Sequence, residues 1–495
     1  STILIDDRQE RYQMTWPDKK KSILLANSRI NATLRPIKEK SVDFDNTKNL
    51  YIEGDNLDVL KLLRETYLGK VKLIYIDPPY NTGNDFVYED DFIQSEDEFL
   101  AISGQYDKLG NRLVQNTDSN GRFHTDWLNM IYPRLKISKD FLSQDGVIAI
   151  SIDDHEVENL KKICNEIFGE HNFIASVVWE RAFAPVNLKK HFSESHDYIL
   201  FYAKNITECK CNGLQRTSEA NNRYSNPDND PRGVWTSGDF SVGPRVEKNV
   251  YEIVAPSGRI IVPPSGRCWR VTEDKFKELL KDNRVWFGED GNNVPRLKRF
   301  LTDVKQGMTP MTIWKYSDVG HSQEATKKLK ELFDNVAVFE YSKPINLIKR
   351  IIELYSDDDS IIMDFFSGSA TTAHAVLEFN NEKNTNIKFI LIQLPEEIDQ
   401  NSEQYSVGFK NICDIGIERI KRATVKIKRE SGVLLNNLDA GFRVLKLDSS
   451  NMKDVFYNPN QLNQSLLDQL VGNVKEDRTA LDLLFQVMLE LGIEL

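Results

Sequence analysis

The 495-residue sequence has little cysteine, no histidine cluster and no long hydrophobic run. Its five cysteines are scattered, and Cys209 and Cys211 have the wrong spacing for a zinc knuckle and no matching second pair. We therefore expect reduced thiols and no metal site. No stretch approaches the roughly eighteen apolar residues of a membrane span, and the first residues do not form a signal peptide. These absences predict a cytoplasmic protein that is not embedded in a membrane.

The sequence is also short of positive charge. Its net charge is −11 and its isoelectric point is near 5.4, which argues against a protein that coats nucleic acid without specificity. Residues 205–335 differ, because they contain 21 Lys and Arg against 18 Asp and Glu. A specific nucleic-acid binder with a local basic surface therefore stays compatible with the composition.

Short apolar runs alternate with helical periodicity on both sides of residues 205–335, a region rich in Gly, Pro, Asn and Arg. This alternation predicts an α/β protein, with a doubly wound, Rossmann-like sheet and an inserted domain. A polar stretch at 81–123 is long enough to be a lid or a binding loop. Strands are predicted at 71–76, 146–152, 173–180, 197–203, 360–364, 387–394 and 441–447, and helices from 57 and 370 onward and at 126–141, 155–168, 341–348, 411–430 and 462–495.

One predicted strand is followed directly by Asp77-Pro78-Pro79-Tyr80. The two prolines end the strand, because neither can donate a hydrogen bond and each fixes its own backbone angle. The result is a rigid lip at a strand's carboxyl end, where ligands bind in open α/β sheets. Its carboxylate, its free Pro78 carbonyl and its aromatic ring suit a flipped-out amino base. The alternative is a proline-rich turn without a chemical role.

A second predicted strand ends at Asp364, and a turn of small residues leads into a helix that opens at Ala370. Such a helix N-terminus presents backbone N–H groups and a positive dipole end to a ligand. Phe366, Gly368 and Ala370 occupy the named positions of a Phe-x-Gly-x-Gly motif, with Ala in place of the last Gly. This departure matters only if the position needs a positive φ. An ordinary strand–helix turn is the alternative.

Together the two motifs resemble those of the amino-methyltransferases, which methylate adenine N6 or cytosine N4 in DNA. The catalytic motif precedes the cofactor motif, as in the β class, where the target-recognition region lies between them. The stretches 51–56, 77–91 and 120–129 further resemble the modification subunits of type III restriction-modification systems.

The resemblance implies a fold of the S-adenosylmethionine (SAM)-dependent methyltransferase type. Its segments would be an N-terminal arm (1–50), a catalytic half (51–204), a target-recognition domain (205–335), a SAM-binding half (336–430) and a C-terminal segment for partner or dimer contacts (431–495). Residues implied to hold SAM are Asp364, Phe366, Gly368, Ser369, Thr371, Lys343, Gln393 and Asp55. Gln393 stands where many such folds place an acidic residue on the ribose, so the ribose contact is open. Asp55 is alternatively a plain helix cap.

Arginines alternate with aromatic residues in 205–335. Arginine can read guanine or hold phosphate, and tryptophan can stack or pack. The alternative for any one residue is a tryptophan in the core or an arginine on a solvated rim. The predicted DNA contacts are Arg267, Arg270, Arg296, Arg299 and Asn81.

The leading prediction is a site-specific DNA adenine-N6 methyltransferase of a restriction-modification system, with Asp77, Pro78, Pro79 and Tyr80 as catalytic residues. Asp at the first motif position favours adenine, since the cytosine-N4 enzymes of this class usually resemble Ser-Pro-Pro-Tyr. A cytosine-N4 enzyme and a non-catalytic, sequence-specific DNA-binding subunit are the alternatives. Double-stranded DNA and a second copy of the chain are the expected partners, and a restriction (helicase-nuclease) subunit is a further candidate.

Overall fold

The computed structural model describes residues 14–83, 86–88, 113–115, 122–185, 190–214, 221–303, 307–431, 438–453 and 473–495. Much of the predicted 81–123 loop and the first part of the predicted 462–495 helix lie outside these residues. The chain divides into two compact units: Gly213–Pro310, and the sequence on either side of it, Ser1–Asn212 with Met311–Leu495. We call them the small unit and the large unit. The small unit lies within the predicted 205–335 domain and is shorter at both ends.

The strands, in chain order, are β1 (Ala32–Pro36), β2 (Leu50–Glu53), β3 (Val71–Ile76), β4 (Phe86–Tyr88), β5 (Leu113–Gln115), β6 (Leu142–Ile152), β7 (Phe173–Glu180), β8 (His196–Ala203), β9 (Trp235–Asp239), β10 (Ser241–Val242), β11 (Ile253–Val254), β12 (Ile260–Ile261), β13 (Cys268–Trp269), β14 (Val285–Trp286), β15 (Arg296–Phe300), β16 (Ile313–Trp314), β17 (Ile361–Asp364), β18 (Lys388–Gln393) and β19 (Arg443–Ser449).

The α-helices are α1 (Lys19–Leu25), α2 (Asn56–Leu63), α3 (Phe123–Phe141), α4 (Val157–Phe168), α5 (Glu273–Lys281), α6 (Tyr316–Val319), α7 (Ser322–Leu332), α8 (Ile345–Tyr355), α9 (Thr371–Lys383), α10 (Glu403–Ser406), α11 (Ile412–Ser431) and α12 (Ala480–Glu490). Short 3-10 helices lie at Glu170–Asn172, Glu247–Asn249 and Leu301–Asp303.

The large unit is a doubly wound α/β fold around a ten-stranded sheet with the order β1-β19-β2-β18-β17-β3-β6-β8-β7-β16. Its centre, from β19 through β6, is parallel, whereas β1 and β8 run antiparallel to their neighbours. The central strands are buried along nearly their whole length, as expected for parallel strands covered on both faces. The predicted α/β architecture is confirmed.

Strands from the two halves of the sequence interleave in this sheet. β17 and β18, from the second half, lie between β2 and β3, from the first half. In the register of β17 with β3, Met363 lies opposite Ile74. The carboxyl ends of these parallel strands therefore meet at one edge of the sheet, which brings the two predicted motifs together across most of the chain.

The N-terminal and C-terminal segments complete the same sheet. β1, from the predicted arm, pairs with β19, and β19 pairs with β2. Gly54 permits this closeness, because a Cβ atom there would lie 2.4 Å from the Cβ atom of Leu447 in β19. α12 contributes Phe485 and Leu489 to the main core. The described parts of both segments are thus built into the large unit.

Most predicted elements are confirmed with small shifts of their ends. The helix predicted over 341–348 is wrong in its first turn, because α8 begins only at Ile345, with Pro344 as its N-cap in an extended conformation. A residue before proline disfavours helical angles, which explains the delay. In the tail, the described helix begins at Ala480 behind a capping box of Thr479 and Asp482.

The small unit contains α5 and three small antiparallel sheets, in the orders β14-β15-β9, β10-β13 and β11-β12. Its core is apolar and aromatic, with Trp269 and Phe240 at its centre. Lys298 is almost fully buried, where it forms ion pairs with Asp228 and Asp230. In the described part of the chain, no helix combines the length and apolar character needed to cross a membrane.

Candidate active site

The lip after β3 forms a compact cluster with a lysine from the second half of the sequence. Lys343 Nζ donates to Asp77 Oδ2 at 2.7 Å and lies 4.9 Å from the centroid of the Tyr80 ring. The Lys343 side chain is 13% exposed and that of Asp77 is 23% exposed, so the ion pair is only partly screened by water. Sequence reasoning singled out all three residues but did not predict their contact.

Two side-chain atoms of the lip are enclosed without a hydrogen-bonding partner. Asp77 Oδ1 and Tyr80 Oη find no partner of good geometry among the described residues. Enclosed polar atoms of this kind are costly and mark places where a ligand or water completes the bonding. Burial, and then the negative charges of Asp77 and Asp197, raise the pKa of Tyr80 well above its usual value. Tyr80 is therefore a neutral phenol.

The two proline carbonyls of the lip differ. Trp127 Nε1, in the fully buried side chain of α3, donates to the Pro79 carbonyl at 2.7 Å. The Pro78 carbonyl has no such donor in the described part of the chain. The tryptophan thereby fixes the lip and leaves one acceptor for a ligand.

Asn81 is placed inside the protein. It has a left-handed backbone conformation (φ 61°) and no exposed surface, and its Nδ2 donates to Glu156 Oε1 at 2.6 Å. Asparagine adopts this conformation more readily than most residues. Asn81 thus forms a turn of the backbone directly after the lip. Its buried side chain gives no support to the predicted contact with DNA.

The turn after β17, which we call the cofactor loop (residues 364–372), is held by its own side chains. Buried Asp364 accepts from the Phe366 backbone N–H at 3.0 Å and from Thr372 Oγ1 at 2.5 Å. Burial raises the pKa of Asp364 to about 7, against the opposing effect of these two hydrogen bonds. The Asp364 carboxyl group thus holds the loop together, because each of its two oxygens accepts a hydrogen bond from a loop residue.

The cofactor loop needs positive φ at two positions. Gly368 has φ 50°, and Ala370, the N-cap of α9, has φ 62°. The departure of the motif at Ala370 therefore has a cost, since a non-glycine residue in this conformation loses roughly 1 kcal/mol or more. The Gly368 N–H donates to Gln393 Oε1 at 2.7 Å. The amide oxygen of Gln393 therefore binds the backbone of the cofactor loop.

A buried arginine that sequence reasoning missed holds the N-terminal end of α9. Arg419 Nη1, in α11, donates to Ser369 Oγ at 2.8 Å, to Thr371 Oγ1 at 2.8 Å and to Ser342 Oγ at 3.0 Å. The Arg419 side chain has no carboxylate within ion-pair distance among the described residues. Burial lowers the pKa of Arg419 to about 9. The sequence signal was an arginine on the apolar face of α11, four residues after Ile415.

Asp55 caps a helix and pairs with an arginine. Its carboxylate accepts from the Asp58 backbone N–H at the start of α2 and lies 3.2 Å from Arg134 Nη2. Arg134 and Asp55 are both buried. The N-cap interpretation is confirmed, and the cofactor contact of Asp55 stays a prediction.

A second buried carboxylate near the lip was also missed. Asp197, at the start of β8, lies 2.8 Å from Arg181 Nε. Burial raises the pKa of Asp197 to about 6, although the charges of Lys343 and Arg181 oppose this rise. The negative charge of Asp197 also contributes to the raised pKa of Tyr80 and of Tyr75. The lip, with its own Asp77, therefore lies close to one further acidic group, Asp197, and to two basic groups, Lys343 and Arg181.

The four arginines predicted to contact DNA are exposed on the small unit. Arg267 and Arg270 flank β13 and donate to backbone carbonyls of Ser241 and Asp239. Arg296 and Arg299 lie three residues apart in β15 and so face opposite sides of that strand. By contrast, the tryptophans of β9 and β13 are core residues, as the alternative interpretation had it: Trp235, Trp269.

Metal chemistry finds no support in the described residues, where no group of three or more His, Cys, Asp or Glu side chains is arranged to hold an ion. The cysteines are free thiols, with Cys164, Cys268 and Cys413 buried.

Comparison with known proteins defines the class. A family model described as DNA methylase matches residues 71–421. The EcoP15I Mod subunit of Escherichia coli is 33% identical, over 89% of this chain and 71% of that protein. The StyLTI Mod subunit of Salmonella typhimurium is 36% identical, over 80% of this chain and 60% of that protein. A solved structure, the cytosine-N4-specific PvuII DNA methyltransferase, is 13% identical with a TM-score of 0.35 and covers 77% of this chain and 96% of that chain.

The matched family is that of the SAM-dependent DNA amino-methyltransferases. The chain belongs to the DNA methylase family and, within it, to the modification (Mod) subunits of type III restriction-modification enzymes. It spans 60 to 71% of the length of the two Mod subunits above.

The residues of the cofactor loop fit SAM. The buried guanidinium of Arg419, the helix N-terminus at Thr371 and the enclosed Ser367 Oγ, which has no hydrogen-bonding partner in the described structure, offer donors to a carboxylate. Gly368 contributes no side chain, and a Cβ atom there would lie 3.4 Å from the Phe339 ring.

Proposed function

We propose that the chain is a site-specific DNA adenine-N6 methyltransferase. The observation that carries the proposal is a pair of acceptors at the lip, Asp77 Oδ1 and the Pro78 carbonyl, to which the described residues present no well-aligned donor, beside the Tyr80 ring. An exocyclic amino group carries two N–H donors, and these two acceptors suit both. An Asp at the first position of the motif favours adenine over cytosine.

The residues act mainly by positioning. A flipped-out adenine stacks on Tyr80, and its N6 donates to Asp77 and to the Pro78 carbonyl. These bonds turn the nitrogen lone pair toward the methyl donor. SAM, when bound, supplies an electrophilic methyl group on a sulfonium centre. With SAM bound, N6 would take the methyl group as the thioether leaves with the electrons of the S–C bond, and the surplus proton would leave N6 through the Asp77 carboxylate. Alignment of this kind supplies most of the acceleration.

On the cofactor side, the chain binds the methionine end of SAM. Gly368, Ser369 and Thr371 lie at the N-terminus of α9, and Arg419 adds positive charge there. Asp364 and Phe366 shape the loop around the sulfonium. Gln393 supports Gly368 and leaves the ribose contact to another residue.

The test is methyl transfer from radiolabelled SAM to double-stranded DNA, followed by nucleoside analysis. The proposal expects the label in N6-methyladenine. Label in N4-methylcytosine would select the cytosine alternative. DNA binding without any transfer would select the non-catalytic subunit.

Recognition is assigned to the small unit and its exposed arginines Arg267, Arg270, Arg296 and Arg299. Exchange of residues 213–310 with those of a related Mod subunit is expected to move the methylated sequence without loss of chemistry, because base contacts carry sequence information. Methylome sequencing reads the outcome. A chimera that methylates the original site would place recognition elsewhere.

Two protein partners complete the proposal. The relatives are named as subunits of type III restriction-modification enzymes, so a restriction subunit is proposed for this chain too. A homodimer is proposed as the DNA-binding form. Light scattering of the purified chain, alone and with DNA, tests the dimer, and a monomer in both samples would refute it.

A further inference from the structure

Lys343 lies over the ring face that the proposed mechanism gives to the target base. Its ammonium group donates to the carboxylate of Asp77 and lies over the face of Tyr80. An adenine amino group would donate to the same carboxylate, and its ring would cover the same face. The two groups compete for the ring face, because the ammonium lies over the Tyr80 ring, 4.9 Å from its centroid, where a stacked base would lie; at the carboxylate the ammonium takes only Oδ2.

The backbone of Lys343 is tied to the cofactor side. The neighbouring residue, Ser342, is buried; its Oγ lies 3.2 Å from Thr371 Oγ1 and accepts from Arg419 Nη1. Lys343 therefore starts beside the N-terminus of α9 and reaches across to the lip. A long, flexible side chain with a single charged end can exchange one carboxylate for another within this reach.

We propose that Lys343 is a gate that couples SAM binding to entry of the target base. The methionine carboxylate, bound at the N-terminus of α9, draws the ammonium away from Asp77 and clears the Tyr80 face. The base then takes both positions. This inference rests on the proposed function, and it adds a binding order, with cofactor before base, and a positioning residue that sets it.

The coupling has a thermodynamic consequence. If SAM favours the open lip, the inserted base must favour SAM by the same factor. Removal of the ammonium abolishes both effects, because the lip is then open without cofactor. A ligand shifts such an equilibrium only by its difference in affinity for the two states, which here is the contact with Lys343.

The experiment uses a duplex that carries the site found by methylome sequencing, with 2-aminopurine at the methylated position. Fluorescence reports the unstacked base, with and without sinefungin, a SAM analogue that cannot transfer a methyl group. In the unmodified protein, sinefungin is expected to raise the flipped fraction roughly tenfold, a typical coupling between two sites. In Lys343→Met the signal is expected to be high without sinefungin and to change less than about twofold on its addition.

Lys72→Met is the matched control. Lys72 lies in β3, its side chain is 14% exposed and it is paired with Asp145 and Asp357, but these contacts are away from the lip. This variant is expected to keep the sinefungin dependence of the unmodified protein. Lys343→Gln, which keeps a polar head without charge, provides a second variant should the methionine variant fold poorly, and it is expected to behave as Lys343→Met.

Several outcomes would overturn the gate. One is that the flipped fraction in the unmodified protein does not change when sinefungin is added. Another is that the flipped fraction in Lys343→Met still rises when sinefungin is added. Calorimetry supplies an independent measurement: target DNA should tighten sinefungin binding roughly tenfold in the unmodified protein and not in the variant. If no protein flips the base under any condition while methyl transfer is observed, only the gate fails. If methyl transfer is absent as well, the proposed function fails with it.

Discussion

The ends of two neighbouring strands, β3 and β17, carry the lip and the cofactor loop, and they are built in opposite ways. At the cofactor loop, both oxygens of Asp364 and the Gly368 N–H are bonded within the protein. At the lip, Asp77 Oδ1 and Tyr80 Oη are enclosed without partners in the described structure. The difference teaches that the protein fixes the backbone of the cofactor loop with its own hydrogen bonds and leaves only Ser367 Oγ there without a partner among the described residues, whereas at the lip it leaves two functional side-chain atoms for a substrate.

The largest effect is expected at the lip. Asp77→Ala removes an acceptor that acts on the reacting nitrogen, so methyl transfer should fall about 30- to 1000-fold, or roughly 2–4 kcal/mol of transition-state stabilisation. SAM affinity should not fall, because Asp77 lies at the other strand end and holds Lys343 away from the proposed position of the methionine carboxylate. Single-turnover methylation and calorimetry measure the two quantities. Asp145→Ala, which removes a carboxylate that pairs with Lys72, is the control; full activity in Asp77→Ala would refute this role of the lip.

A second, smaller effect is expected at the cofactor loop. Arg419→Met removes the buried charge beside the N-terminus of α9 and should weaken SAM binding about tenfold, the scale of one hydrogen bond to a charged group. Arg422→Met is the matched control, since Arg422 lies three residues on in α11 and pairs with Glu418 and Asp334. Equal SAM affinities in the two variants would remove Arg419 from the cofactor site.

The buried carboxyl group of Asp364, which holds the cofactor loop, predicts that the stability of the protein depends on pH. The pKa of Asp364 is about 7 in the folded chain, against 3.8 for an ordinary Asp. The folded state therefore retains a proton that the unfolded state has lost, and stability falls as pH rises between these values. Asp364→Asn removes the cost of ionising this buried carboxyl group. The free energy of unfolding of the variant, measured relative to that of the unmodified protein, should therefore be higher at pH 8 than at pH 5 by about 1–3 kcal/mol.

Denaturant titrations at the two pH values measure this change. Asp359→Asn is the control, because Lys388 lowers the pKa of the exposed Asp359, which titrates below pH 5 in either state. A difference between Asp364→Asn and the unmodified protein that is flat from pH 5 to pH 8 would show that Asp364 is charged in the folded loop.

The smallest effect concerns backbone strain in the same loop. Ala370 is buried with φ 62°, so Ala370→Gly relieves a left-handed conformation but loses a buried methyl group. The net change should lie between zero and about 1 kcal/mol of stabilisation. Ala375→Gly, in the interior of α9, should instead destabilise by about 1 kcal/mol or more. Thermal unfolding compares them, and equal losses in both variants would mean that Ala370 is unstrained.

Local sequence predicted both strand ends because their physics is local. Apolar runs followed by Asp77-Pro78-Pro79-Tyr80 and by the small residues up to Ala370 make a strand end, and the structure confirms the elements around them. The start of α8 was misplaced because the effect of Pro344 on its neighbours was not used. Arg419 and Asp197 were missed because each reads as an ordinary member of its helix or strand until its partners are known.

The sequence alone determined the α/β class and the two strand ends that carry the motifs, because periodicity, proline and glycine act over a few residues. The tertiary structure alone decided which distant residues share a site. It placed β17 beside β3, brought Lys343 onto Asp77 and set Arg419 under the cofactor loop. It also buried Asn81, which had been predicted to contact DNA. The physical reason is that burial and pairing depend on strand order, which short-range sequence patterns do not encode.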